Sequence, residues 1–137
     1  MEISSVSTRV AYLVLKLTNR YTLKVIQVHA PTSTYSDEIA EAMYEDIAKA
    51  IHSTAKAHYN AVMGDFNATV GVQERGETKI GPYGLGCRNH RGQMLANFLE
   101  SEGLFLMNPF FKKGLHAVDL TKSRFCDKER DRFYHYG

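Results

Sequence analysis

The sequence predicts an α/β fold, and three stretches carry that prediction. Residues 9–29 read as two strands separated by a turn, and residues 37–58 carry an apolar stripe at helical spacing. Residues 60–65 form a short apolar run that stops at a glycine and a carboxylate. Strands mixed with long helices in one small chain place it in the α/β class.

At 137 residues the chain makes one domain at most, long enough for a hydrophobic core. Hydrophobic residues at 44% and charged residues at 23% match a globular protein and exclude a disordered, low-complexity chain. The net charge of +2 is compatible with a polyanionic partner but too small to identify one. The start, Met1-Glu2-Ile3-Ser4-Ser5, lacks the basic-then-apolar pattern of a secretory signal, and no apolar run approaches membrane-spanning length. Cys87 and Cys126 form neither a disulfide framework nor a zinc spacing. The expected setting is intracellular and reducing, nuclear or cytoplasmic, without a membrane partner.

The first strand is read over Arg9 to Leu17, where Val10, Tyr12 and Val14 alternate loosely with Ala11, Leu13 and Leu15. Asn19-Arg20 is a turn signal, and Tyr21 to His29 reads as a second strand ended by Pro31, which cannot donate to a sheet ladder. So short a link predicts an antiparallel hairpin. Ser36 then reads as a helix N-cap, with Asp37 and Glu38 in the first turn where the helix dipole favours acids. Ile39, Met43, Ile47 and Ile51 recur every four positions as the predicted inner face, with Tyr44 and Ala50 widening it.

Asn60 to Asp65 reads as a strand buried on both faces. From Thr69 to His90, Gly71, Gly76, Gly81, Gly84, Gly86 and Pro82 predict a long loop. Arg91 to Glu102 is read as a helix with Leu95, Phe98 and Leu99 on one face and Gly103 as its stop. Leu104 to Met107 is read as a further strand before Asn108-Pro109. Beyond Phe111 no period survives; residues 112–137 carry seven Lys/Arg and four Asp/Glu and are left as an unassigned tail.

The chemistry concentrates in Gly64-Asp65-Phe66-Asn67-Ala68. A strand tip there presents an acid and a carboxamide together, a common place for phosphate chemistry. A polar turn after a strand would use the same residue types. The companion segments add order and spacing. They are Val25-Ile26-Gln27-Val28-His29-Ala30-Pro31-Thr32, then Tyr35-Ser36-Asp37-Glu38, then Gly81-Pro82-Tyr83-Gly84-Leu85-Gly86, and finally Arg88-Asn89-His90-Arg91-Gly92. Over Arg9 to Phe111 this series resembles the endonuclease/exonuclease/phosphatase superfamily. Within it, the series is most similar to the endonuclease domain of non-LTR retrotransposons and of proteins like craniofacial development protein 2.

The resemblance implies that residues 9–111 are a partial domain, part of a four-layered α/β sandwich whose N- and C-terminal portions are missing. It implies magnesium-dependent cleavage of a DNA phosphodiester, with Asp65 orienting or deprotonating water and Asn67 holding a phosphate oxygen. Asp65 and Asn67 would also be the metal's weak ligands here. His29 falls where the family has an active-site tyrosine. It could contact phosphate or simply end a strand, and its charge depends on pH. Arg88, Asn89 and Arg91, before a helix N-terminus, would lie near the nucleic acid or belong to a solvated loop.

Several family features are not found in the sequence. The family's metal-binding asparagine and glutamate precede the region that begins here at Arg9, and the single acid before that point is Glu2. The chain has no tryptophan, and nothing after Phe111 reads as the family's closing aspartate–histidine pair; His116 and Asp119 have the wrong order and spacing. The expectation is therefore a fragment of a DNA endonuclease, impaired or inactive on its own. The alternative is a non-catalytic remnant that binds nucleic acid or protein. A half sandwich would leave a sheet edge exposed, to be covered by a homo-oligomer or a protein partner.

Overall fold

A computed structural model describes residues 1–54 and 56–111. The chain divides into two compact units, Met1–Asn67 and Ala68–Gly137. The tail features named above, including the basic residues from Lys112 onward, His116, Asp119 and Cys126, lie outside the described residues.

The first unit is a four-stranded mixed sheet with a helix against it. Strands β1 (Glu2–Ser5), β2 (Val10–Lys16), β3 (Thr22–His29) and β4 (Tyr59–Asp65) lie in that order across the sheet, and helix α1 (Asp37–Ile51) connects β3 to β4. β1 pairs with β2, and β2 with β3, antiparallel. The predicted hairpin is therefore present. Its turn is closed by the Thr18 hydroxyl, which accepts from the backbone N–H groups of Arg20 (3.2 Å) and Tyr21 (3.1 Å). β4 runs parallel to β3, which requires a crossover, and α1 is that crossover.

Register decides which side chains face the helix. Val10 lies opposite Val28, Tyr12 opposite Ile26 and Val14 opposite Lys24, so these six share one face. α1 packs on β2 and β3. The core it makes with Val10, Ile26 and Val28 contains Ala40, Met43, Ile47 and Ala50. Each large apolar side chain so buried contributes about 1.5–3 kcal/mol.

The inner face of α1 differs from the every-four series. Ile39 is 38% exposed and Ile51 half-buried, while Ala40 and Ala50 are buried. Steps of four residues rotate around the helix by roughly 40° each, so a straight face needs steps of three mixed with steps of four. The small size of Ala40 hid its role, whereas Ala50 is buried as its place on the stripe predicts. Ser36 is the N-cap residue, though its side chain makes no capping hydrogen bond.

Lys24 is fully buried on this face. Its Nζ donates to the Ala50 carbonyl (2.7 Å), the Ser53 hydroxyl (2.8 Å) and, at 3.5 Å, the Ile51 carbonyl, and it lies 5.1 Å from the centre of the Tyr12 ring. The ammonium thus satisfies the last carbonyls of α1, where a cation is also favoured by the helix dipole. Burial lowers its pKa from the ordinary lysine value, and Tyr12 and Glu2 act in the opposite direction.

Two further strand expectations are corrected. Among the described residues β4 is the last strand of the sheet, and it is half-buried to exposed rather than enclosed on both faces; Met63 is 49% exposed. β1 was not foreseen, because Glu2–Ser5 offers one apolar residue, Ile3, and no alternation.

The second unit holds the long loop and α2 (His90–Glu102). Gly103 stops the helix as predicted, in the left-handed conformation (φ 67°), with the Leu104 N–H closing on the Leu99 carbonyl. The buried face of α2 is Arg91, Gly92, Leu95, Ala96 and Leu99, with Phe98 half-buried. Residues 104–107 do not form the expected strand. Leu106 makes one parallel bridge to Ile80, and a 3₁₀ turn at Asn108–Phe110 follows. The adjacent stretch is glycine-rich loop, so no ladder can extend from that single bridge.

Candidate functional site

The site begins with the parallel register of β3 and β4, which sets Val28 beside Gly64 and His29 beside Asp65. Residues in register share a face, so His29 and Asp65 project side by side at the carboxyl ends of their strands. Gly64 makes that approach possible. It has φ 137°, and a Cβ there would lie 1.9 Å from the Val28 carbonyl oxygen. The Ala30 N–H donates to the Asp65 carbonyl (2.8 Å), carrying the pairing one residue past β3.

The turn after Asp65 is closed by its own side chains. Asp65 Oδ1 accepts from the Asn67 backbone N–H (2.9 Å), and Asn67 Nδ2 donates to the Ala30 carbonyl (2.8 Å). Asn67 has φ 45°, the one non-glycine residue with positive φ among those described. Asparagine tolerates that conformation better than most residues, which explains its presence in the turn irrespective of any chemistry. Both readings of the acid–amide pair therefore coexist in one geometry.

Asp65 and His29 are exposed, and Asp65 forms no salt bridge among the described residues. One carboxylate oxygen is committed to the turn, so the acid is oriented and still open to solvent. Arg9, just before β2, adjoins this end of the sheet. Its carbonyl accepts from the His29 N–H (3.0 Å), and its Nη1 donates to the His29 carbonyl (3.4 Å). Its guanidinium carbon lies 5.1 Å from the centre of the Tyr35 ring. Sequence reading missed Arg9 because an arginine opening a strand carries no motif; only the paired geometry reveals it.

Arg88, Asn89 and Arg91 belong to the second unit, where each is engaged in the fold. Arg88 makes a two-pronged pair with Glu77, Nη1 to Oε1 at 2.6 Å and Nη2 to Oε2 at 2.9 Å, while its Nε donates to the Val70 carbonyl (2.7 Å). The Arg88 hydrogen bonds hold the Glu77 carboxyl below its ordinary pKa, and Glu77 raises that of Arg88 in return. A phosphate contact by Arg88 would compete with that pair. Asn89 is the N-cap of α2; its Oδ1 accepts from the N–H groups of Gly92 (2.7 Å) and Thr69 (3.2 Å). Arg91 is buried on the inner face of α2.

The donor set that the described residues place around Asp65 does not suit a resident magnesium ion. That ion prefers carboxylate oxygens, and Asp65 supplies one carboxylate, half of it committed to the turn. Among the described residues no group of three His, Cys, Asp or Glu side chains could hold a metal. No helix among them is long and apolar enough to cross a membrane.

Comparison with known proteins yields one name from two species. The chain is 36% identical to craniofacial development protein 2 of Bos taurus over 94 residues, which is 68% of this chain and 16% of that protein. It is also 36% identical to craniofacial development protein 2 of Tragulus javanicus over 112 residues, 79% of this chain and 19% of the relative. The chain thus spans less than a fifth of the length of these curated relatives. No family model matches the sequence. No solved structure matches it either. Over most of its length this chain is similar to craniofacial development protein 2.

Proposed function

We propose that this chain is a segment of a magnesium-dependent DNA endonuclease domain of the retrotransposon type, impaired in hydrolysis by itself, whose His29–Asp65–Asn67 edge binds a phosphodiester. The observation that carries the reading is the register of β3 and β4, which puts His29 beside Asp65 with Asn67 tied into the same turn. In that arrangement Asp65 orients a water or a phosphate-bound hydroxyl, and His29 donates a hydrogen bond to a phosphate oxygen. The second amide hydrogen of Asn67 is available to do the same.

Hydrolysis needs more than this edge provides. An oxyanion approaching an anionic diester requires concentrated positive charge, which the family draws from magnesium. With one partly committed carboxylate, the metal's remaining ligands must come from groups outside the described residues or from another polypeptide. On this reading the sheet is one half of a sandwich, and Arg88, Asn89 and Arg91 contribute to nucleic-acid binding by shaping the loop before α2. The last-strand position of β4 among the described residues favours a second reading, in which a second copy or a protein partner adds to the edge and the module is non-catalytic.

The test is plasmid nicking. Purified chain is incubated with supercoiled DNA and magnesium, beside Asp65→Ala and a chelator control. The proposal expects no metal-dependent nicking above the Asp65→Ala level. Robust nicking that needs both metal and Asp65 refutes the impairment.

A further inference from the structure

We infer that Arg9 is the phosphate-anchoring cation of this edge, held in position by the Tyr35 ring and the His29 carbonyl. The inference rests on the phosphodiester-binding reading above and extends it to a residue outside the acid–amide motif.

The placement comes from backbone pairing. Val10 lies opposite Val28, and the His29 N–H donates to the Arg9 carbonyl, so Arg9 is pinned beside the residue that neighbours Asp65. The side chain is half-buried and restrained twice, by Nη1 on the His29 carbonyl (3.4 Å) and by the cation–π contact with Tyr35 (5.1 Å). A guanidinium has five N–H donors, of which the carbonyl takes one. The others meet no acceptor among the described residues. A restrained guanidinium with spare donors is suited to accept a phosphate through two parallel hydrogen bonds, at little further entropic cost.

Charge points the same way. Asp65 alone would repel a diester from this end of the sheet, and a nearby cation offsets that repulsion. The other cations of these strands cannot serve. Lys16 pairs in register with Thr22 at the far end of β3, and Lys24 is committed to the last turn of α1.

The test is fluorescence anisotropy with a short labelled DNA duplex in chelator, at a series of salt concentrations. It compares the full chain with Arg9→Ala, Arg9→Lys and, as a control at the other end of β2, Lys16→Ala. Arg9→Ala is expected to weaken binding about 10- to 100-fold at low salt, the worth of a charge-assisted contact. It should also reduce the slope of log affinity against log salt by about 0.9, one phosphate contact. Arg9→Lys should keep the slope while losing part of the affinity, and Lys16→Ala should change neither.

A second arm titrates dimethyl phosphate and follows the arginine Nε–H resonances, where Arg9 should shift and Arg88 should not. If the wild type binds DNA and both Arg9 variants match it in affinity and slope, the Arg9 assignment fails while the phosphodiester reading stands. If the wild type binds no DNA, that reading fails, and a silent Arg9 resonance in the second arm removes the assignment too. Should Arg9→Ala unfold, Arg9→Lys and the resonance decide.

Discussion

Gly64→Ala is the substitution for which the structure fixes a magnitude most directly. The added methyl would meet the Val28 carbonyl oxygen at 1.9 Å, and the residue would hold φ at 137°, outside the range L side chains favour. Holding a non-glycine residue in such a region costs about 1–3 kcal/mol. Relieving the clash requires β3 and β4 to part locally, with the loss of one or two ladder hydrogen bonds at about 0.5–1.5 kcal/mol each. Together these give a destabilisation of about 1.5–6 kcal/mol, a large part of a small domain's stability. Urea unfolding followed by circular dichroism reads the loss. Hydrogen exchange at the Ala30 N–H, which bonds to the Asp65 carbonyl, reports whether the opening is at the site. A loss below about 0.5 kcal/mol, the range of an ordinary surface substitution, with Ala30 still protected, would refute the close approach of the two strands.

Other substitutions probe the rest of the frame. Lys24→Ala should destabilise by about 2–4 kcal/mol in the same unfolding assay, since it leaves a cavity, removes the donor to the Ser53 hydroxyl and leaves the Ala50 carbonyl with the Ser53 hydroxyl as its side-chain donor. Glu77→Gln should cost stability at neutral pH. Because Arg88 depresses the Glu77 pKa in the folded state, the pair's contribution is complete above the unfolded carboxyl value of about 4.3 and is lost as pH falls through the folded value. Wild type and Glu77→Gln should therefore converge in thermal melts as the pH is taken well below that window. Asn67→Gly should retain the turn, because glycine accepts positive φ, whereas Asn67→Ala should lose about 1–2 kcal/mol more; chemical unfolding of the two variants separates the backbone role from the side-chain role.

Much of the first unit was legible in the sequence because its signals are local. The turn at residues 17–21, the alternation of β2 and β3 and the acidic first turn of α1 each sit within a few residues of the structure they specify. What escaped reading depends on partners far along the chain. Ala40 is a core residue because of where β2 and β3 lie, and Lys24 is buried because the end of α1 has carbonyls to offer. An isolated apolar run does not say whether it will be central, as β3 is, or last in the sheet, as β4 is. Leu104–Met107 has strand composition without a neighbour able to pair along it.

The candidate site was legible at Asp65, Asn67 and His29 through motif order, while the structure adds their register and the turn hydrogen bonds. Arg9 was not legible, since its proximity arises from pairing across a hairpin. The engagement of Arg88 was hidden as well, because nothing about Glu77 in a glycine-rich loop marks it as a partner.

On the proposed function, the carboxyl ends of β3 and β4 contact a DNA phosphodiester. Backbone amide shifts of the ¹⁵N-labelled chain, recorded as a short duplex is titrated in chelator, test it most directly. Saturable shifts are expected at His29, Ala30, Asp65, Phe66 and Asn67, with the Tyr21–Tyr59 end of the sheet unmoved. Shifts confined to that opposite end, or none at concentrations where the duplex is in large excess, would contradict it.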